Sequence, residues 1–440
     1  MKTYDFVVIG FGKAGKTFAK TVASKGKKVA VIEQSPKMYG GTCINIGCIP
    51  SKTLIQASKT LPFTEAMTRK TEVVQALNQK NYLNLADDPN IDVYDGKATF
   101  QSEHEVCIEG VTDETMIRGD VMIINTGATP VIPEIEGVKT SRFVYDSTGV
   151  MALSSQPQRL VIIGGGYIAL EFASLFASFG TEVTVLERHT HVLSNEDDAI
   201  VKEVIQDLEN KGVRIETSVE VEKISDTAQE AVIETSNGAF HADAILLATG
   251  RTPNTDIGLE NVGIALGDKG EIKVNAHLQT AVPHIYAVGD VKGGPQFTYV
   301  SLDDFRIIHD HVFGTRQRTT KNRGEIPYTV FIDPPLSRIG LTAAEAQKEG
   351  FNIKEGQLPV KQIPRHKIND DPRGLFKVVI DANTNLILGA SLYGAQSEEL
   401  INLIHLAMKQ GTTYDVMRDM IYTHPTMAES FNDLFKIKDR

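Results

Sequence analysis

Only three cysteines occur in 440 residues, the 45 basic residues are outnumbered by 56 acidic ones, and no segment holds the unbroken apolar run of about 20 residues that a bilayer span needs. Each shortage excludes something. A formal charge of −11 argues against a nucleic-acid or anionic-membrane surface and directs attention to small-molecule partners. A glycine-rich stretch, "IGFGKAG", begins by residue 10 and leaves no room for a charged segment, an apolar segment and a cleavage site before it, so a cytoplasmic protein is expected. In that reducing compartment a disulfide is more often catalytic or redox-sensing than structural. Low-complexity tracts and short-period repeats are also lacking.

Glycine, by contrast, is plentiful at 36 residues, in a chain that is 41% apolar. The length suits roughly two to four domains and the composition an α/β protein. Residues 4 to 33 pass from the apolar "YDFVVIG" through "GFGKAG" into a helical stretch, then to Gly26 and a second apolar run, "KKVAVIE". This predicts strand, glycine turn, helix and strand, with Gly10, Gly12 and Gly15 in the G-x-G-x-x-G pattern of a dinucleotide-binding unit. Gly10 permits the tight turn, Gly12 the approach of a pyrophosphate and Gly15 the packing of helix on strand, while Glu33 is placed to accept from a ribose. The pattern recurs in "RLVIIGGGYIALEFASLFASFGTEVTVLE" as Gly164, Gly166 and Ala169, and Glu187 stands 18 residues after Ala169 just as Glu33 stands 18 after Gly15. Two matching units predict two nucleotides, a flavin and a nicotinamide.

Cys43 and Cys48 lie together in "GGTCINIGCIPSK". Zinc is one reading of C-x₄-C, but a closed site needs four ligands; Cys107 is alone in the strand-like "EHEVCIEG", and no second Cys or His pair has ligand spacing. A structural staple is another, although it would close only a short loop. A redox dithiol fits best. "CIPSKTLIQASK" reads as a helix starting at the motif, and a helix N-terminus favours a thiolate.

"GGTCINIGCIPSK" resembles the active-site signature of the class I pyridine nucleotide–disulfide oxidoreductases, the flavoenzymes that include glutathione reductase, dihydrolipoyl dehydrogenase and mercuric reductase. The likeness spans almost the whole chain: "INTGATP" with Gly127, "LLATGRTPN" with Gly250 and Arg251, "IYAVGDV" with Gly289 and Asp290, and "THPTMAE" with His424 and Glu429. It implies FAD on Gly10, Gly12, Gly15, Glu33, Thr42 and Asp290, and NADH or NADPH on the second unit, handing a hydride to the flavin. Lys52 resembles the lysine that pairs beside the flavin with a glutamate of the second unit's helix, here Glu171. Cys48 would be the flavin-proximal sulfur and Cys43 the thiol that meets substrate. His424, oriented by Glu429, would move protons to and from that centre. In this family the histidine comes from the other subunit, which implies a homodimer. Glu187 favours NADH, because a carboxylate accepts from a free ribose hydroxyl and repels a 2′-phosphate.

The resemblance also suggests a substrate. A C-terminal cysteine pair of the mercuric-reductase kind is not present in "LFKIKDR", so mercury reduction is not expected. Dihydrolipoyl dehydrogenase shares the cysteine and histidine motifs, but after Asp290 it carries small residues, His and Glu, where this chain reads "GGPQFTYVSLDDFRII". That stretch, with "NLADDPNIDV", "DPPLSRIG" and "FNDLF", is similar to the RclA group of reactive-chlorine-resistance flavoproteins, whose members reduce hypothiocyanous acid (HOSCN) and to which copper(II) reduction has been ascribed. The expectation is an HOSCN reductase; dihydrolipoyl dehydrogenase, copper(II) reductase and a flavoprotein redox sensor without turnover are the alternatives. Phe297 and Tyr299 can equally be core packing.

The expected fold is α/β, glutathione-reductase-like: an FAD domain over 1–145, an NAD(P) domain over 146–265, a return to FAD over 266–323 and an α+β dimerisation domain over 324–440. The charged "GTRQRTTKNRGE" at 314 to 325 reads as a solvated loop, and residues 60 to 90 show mixed helical patterning without a functional signal.

Overall fold

The computed structural model describes residues 1–110 and 114–437. They form two compact units: Met1–Val131, Ser147–Ser154 and Gly250–Arg323 make the first, and Ile132–Asp146, Ser155–Thr249 and Gly324–Arg440 the second.

In the first unit the apolar runs become parallel strands. Lys2–Ile9 lies between Val29–Glu33 and Glu114–Ile124, and Ile91–Asp95 pairs outside Val29–Glu33. Val7, Val8, Val29 and Val31 are fully buried, as a strand covered on both faces requires. Ile285–Ala287 adds a further parallel strand beside Met122–Ile124, and Glu105–Glu109 and Lys97–Ser102 extend the sheet antiparallel, with Cys107 buried in the former. The helix Lys13–Ala23 buries Ala14, Gly15, Phe18, Ala19 and Val22, one stripe at helical spacing, and ends before Gly26. The mixed helical patterning of residues 60 to 90 becomes the helix Phe63–Ala86.

The second unit repeats this plan. Val213–Thr217, Glu182–Glu187, Arg159–Ile163, Ala244–Leu247 and Val144–Tyr145 form a five-stranded parallel sheet, with the helix Tyr167–Ser178 following the second glycine turn. The same unit holds an antiparallel sheet in the order Tyr328–Val330, Leu336–Gly340, Ile387–Tyr393, Leu375–Asp381, Ile353–Pro359. Ser397–Lys409 packs its Leu400, Ile401 and Ile404 into that sheet's core.

Two expectations need correction. The return to the first unit starts at Gly250 rather than 266, because Arg251–Pro253 pairs antiparallel with Ala128–Pro130. The charged stretch 314–325 is not simply solvated: Arg318 pairs with Asp303, and Arg323, only 11% exposed, pairs with both Asp303 and Asp304. Buried carboxylates on the preceding helix supply counter-charges that composition alone does not reveal.

Candidate active site

The first glycine turn and the cysteine segment share one cavity of about 650 Å³, whose walls include Gly10, Gly12, Glu33, Thr42, Cys43, Cys48, Gly127, Gly289 and Asp290. Gly10 has φ +98°, and a Cβ there would stand 2.4 Å from the carbonyl oxygen of Asn125. A Cβ on Gly12 would meet Asn125 Oδ1 at 2.5 Å, so the turn closes only without side chains. Glu33, 8% exposed, accepts from the amides of Phe11 at 3.1 Å and Ser35 at 3.2 Å. Burial pushes its pKa up, and those amides resist. Thr42 faces Gly127, its Oγ1 3.8 Å from where a Cβ would be. Gly15 makes its contact one layer back, its amide donating to Asn125 Oδ1 at 2.8 Å. The cavity therefore offers a bare backbone cradle at a helix N-terminus and a carboxylate at the end of the second strand, which fits FAD.

At the other end, Gly289 donates its amide to Asp304 Oδ2 at 2.8 Å. Asp304 is fully buried, paired with Arg323 and 3.5 Å from Lys292. Burial raises the pKa of Asp290, with Arg251 and Lys292 opposing. Gly250 and Arg251 thus lie in the first unit, Arg251 donating to the carbonyl of Ala128.

Cys43 sits in the short helix Thr42–Asn45, and Cys48 opens the helix Cys48–Ala57, as its sequence predicts. Both are free thiols. The Cys48 thiol hydrogen-bonds Cys43, and this, with the Thr298 hydroxyl and the charges of Lys16 and Lys52, holds Cys43 down to about 6 against desolvation. Cys48 is pushed above the ordinary thiol range, first by the same bond and then by desolvation, although its side chain lies open on the cavity wall. Thr298 Oγ1 lies 4.0 Å from Cys48 Sγ, and beside it the rings of Phe297 and Tyr299 stack 5.3 Å apart. One sulfur of the pair is consequently a nucleophile at neutral pH.

The second unit holds Gly164, Gly166, Ala169 and Glu187 around its own turn. Gly164 has φ +115°, with a Cβ position 2.5 Å from the Ala248 carbonyl; Gly166 caps the helix and Ala169 is fully buried. Glu187 accepts from the His189 amide at 2.7 Å, and its Oε2 approaches Gly165 much as Glu33 approaches Phe11. Glu171, 7% exposed, accepts from the Phe331 amide at 2.7 Å. His424 is exposed, with Nδ1 2.7 Å from Glu429 Oε2; Glu429 is fixed by the Thr426 amide at 3.1 Å. Among the described residues no cluster of three or more His, Cys, Asp or Glu side chains is placed to hold a metal ion.

Sequence reasoning missed Asn125 and Thr298. Asn125 ties the turn together, accepting from Gly15 and donating to the Val288 carbonyl at 3.0 Å. Its only signal is a buried polar residue ending an apolar strand. Thr298 lies within the stretch after Asp290, where a threonine between Phe297 and Tyr299 carries no signal of its own.

The chain matches the family model "Pyridine nucleotide-disulphide oxidoreductase" over residues 4–304 and that family's dimerisation domain over 326–435. It is 47% identical to the probable pyridine nucleotide-disulfide oxidoreductase RclA of Escherichia coli, across 99% of this chain and all of the relative. Identity to a mercuric reductase of Staphylococcus aureus is 33%, across 97% of this chain and 81% of that one. A solved structure, the Cu(II) complex of the HOCl-induced flavoprotein disulfide reductase RclA from Escherichia coli, superposes with a TM-score of 0.97 at 46% identity, covering 99% of both chains. Twin glycine turns, a dithiol on the cavity wall and likeness along the whole length lead to one assignment: the chain belongs to the pyridine nucleotide-disulphide oxidoreductases, in their RclA-like class I group.

Proposed function

We propose that this oxidoreductase uses Cys43 and Cys48 to reduce HOSCN to thiocyanate at the expense of NADH or NADPH. The family implies FAD and a pyridine nucleotide. Gly10, Gly12, Gly15, Glu33, Thr42, Gly127 and Asp290 would hold the first, and Gly164, Gly166, Ala169 and Glu187 the second. When bound, the flavin supplies to the disulfide an electron pair taken from the nicotinamide. The pairing of Lys52 with Glu171 carried over from the family belongs to this proposal.

The observation that carries the reading is the acidic Cys43 thiol on the cavity wall, hydrogen-bonded by a Cys48 that stays protonated. The Cys43 thiolate attacks the electrophilic sulfur: an S–S bond forms, the S–O bond breaks, and the departing hydroxide takes a proton from His424. Neutral His424 then removes the Cys48 proton. Cys48 attacks Cys43, the S–SCN bond breaks, and thiocyanate leaves with the electron pair. One HOSCN and the dithiol give one thiocyanate, one water and the disulfide. His424 and Glu429 of a second subunit would serve this site, in line with the dimerisation domain. Glu187 would make NADH the better donor.

A second reading, copper(II) reduction, is favoured by the Cu(II) held in the similar Escherichia coli structure. Both are tested by following NADH oxidation with HOSCN, copper(II), lipoamide and oxidised glutathione in parallel. Rapid multiple turnover with HOSCN, abolished by Cys43→Ser, is the expected result. Turnover with lipoamide alone, or a halt after about one nicotinamide per dithiol, would overturn it.

A further inference from the structure

Lys16 lies in the first helix, four residues beyond Gly12, where neither the glycine fingerprint nor the family resemblance asks for a cation. Its ammonium donates to Asn81 Oδ1, and the amide of Asn81 is held in that orientation because Nδ2 donates to the Leu77 carbonyl at 2.7 Å. Asn81 belongs to Phe63–Ala86, the helix in which the sequence showed no functional signal. Three residues before it, Asn78 donates to Asn45 Oδ1 at 2.9 Å, and Asn45 in turn donates to the carbonyls of Tyr39 and Gly41. The helix therefore clamps the segment that carries Cys43.

The packing brings together the segments that carry Lys16 and Cys43. A Cβ on Gly41 would stand 2.8 Å from Gly12 Cα, and one on Gly40 would stand 3.2 Å from Asn81 Cγ. The Gly40–Gly41 backbone is thus wedged between the turn that leads to Lys16 and the residue that holds it. Cys43 follows two residues later.

Lys16 is half-buried, and among the described residues no carboxylate pairs with it. Desolvation lowers its pKa to about 8, Lys13 repels it, and the charge that favours its ammonium is Cys43. Reciprocally, Lys16 joins Lys52, Thr298 and Cys48 in favouring the Cys43 thiolate. A desolvated cation with a neutral partner calls for a counter-ion. The thiolate is that ion only while the sulfur is ionised.

We infer that Lys16, held by Asn81, is the counter-cation of the Cys43 thiolate and, once that charge is spent in a covalent bond, the binding group for a small monovalent anion at the sulfur. Under the proposed reaction, on which the identity of the anion rests, this is the thiocyanate expelled when Cys48 attacks. The ammonium forms and breaks no bond; it exchanges one anionic neighbour for another.

The counter-cation role is tested without any substrate. Full-length, FAD-loaded protein in its dithiol form is alkylated with iodoacetamide across pH, and labelling of Cys43 is located by mass spectrometry. Lys16→Met should move the midpoint for Cys43 up by about one pH unit, and Lys16→Arg should restore it. An unchanged midpoint in Lys16→Met with undiminished FAD overturns the assignment. If Lys16→Met fails to load FAD, Asn81→Asp gives the same reading: a carboxylate beside Lys16 takes over as its counter-ion and should also raise the midpoint, and no shift there overturns the proposal. The anion site is read in Cys43→Ser protein, titrating sodium thiocyanate against the flavin absorbance. Saturable perturbation, weakened at least about tenfold when Lys16→Met is added, is expected for the loss of one charge-assisted contact. Non-saturating or Lys16-independent changes overturn the anion site. Neither assay contains HOSCN, so failure of the substrate reading leaves both interpretable.

Discussion

Thr298 shows how much one hydroxyl can contribute at this centre. It hydrogen-bonds the cysteine pair from the first turn of the helix Thr298–Phe313 and favours the ionised sulfur. A hydrogen bond to a charged group contributes roughly 1.5–3 kcal/mol, so Thr298→Val should raise the pH at which Cys43 ionises by about one unit. Measured as kcat/KM against pH, the loss should be greatest below neutrality and fade at alkaline pH, where the sulfur ionises without help. The same depressed pKa links protonation to stability. Cys43 ionises at about 6 in the folded dithiol form against an ordinary 9.0, so its stabilisation is present above 9.0 and is lost as pH falls through about 6. Thermal melts should show the dithiol form gaining on the disulfide form between those limits; parallel pH curves for the two forms would contradict it. Of the residues at this centre, Cys43 and Cys48 were legible from their spacing and motif. Thr298, Asn125 and Lys16 were not, because a threonine, an asparagine or a lysine carries no signal until a distant segment is packed against it.

Among elements, the helix Thr298–Phe313 does more than cover the sheet. Asp304 on its inner face receives the Gly289 amide and the Arg323 guanidinium, so the turn carrying Asp290 and the end of the first unit are tied to one buried carboxylate. Removing one partner of a buried ionic group costs about 3–5 kcal/mol. Asp304→Ala should therefore lower the urea midpoint by a corresponding amount and release FAD on gel filtration, whereas Asp303→Ala, which leaves the Gly289 amide bonded to Asp304, should retain more flavin. The glycine turns and the strands around them were legible because their causes are local: continuous apolar runs, a glycine at each bend and an amphipathic helix that ends at another glycine. The charged stretch 314–325 was misread for the opposite reason, since its arginines look solvated until Asp303 and Asp304 are seen behind them.

For the molecule as a whole, residues 326–435 match the family's dimerisation domain, and the proposed mechanism brings a second chain into the reaction. If His424 acts on the partner's dithiol, two dead variants should rescue each other. Co-expressing Cys43→Ser with His424→Ala gives mixed dimers with one intact site, and a random mixture should recover about a quarter of native activity. No recovery above the parent variants would place His424 in its own subunit's chemistry.

Periodicity, glycine spacing and the cysteine motif sufficed to define the α/β class, the two nucleotide-binding units and the dithiol, since each follows from the conformational limits of residues close together in the chain. Tertiary structure alone decided what surrounds those sulfurs. Cys43 lies 255 residues from Thr298, and Lys16 lies 65 from Asn81. Those groups meet only once the sheet is assembled, and the pKa of a thiol depends on what packs against it rather than on its neighbours in sequence.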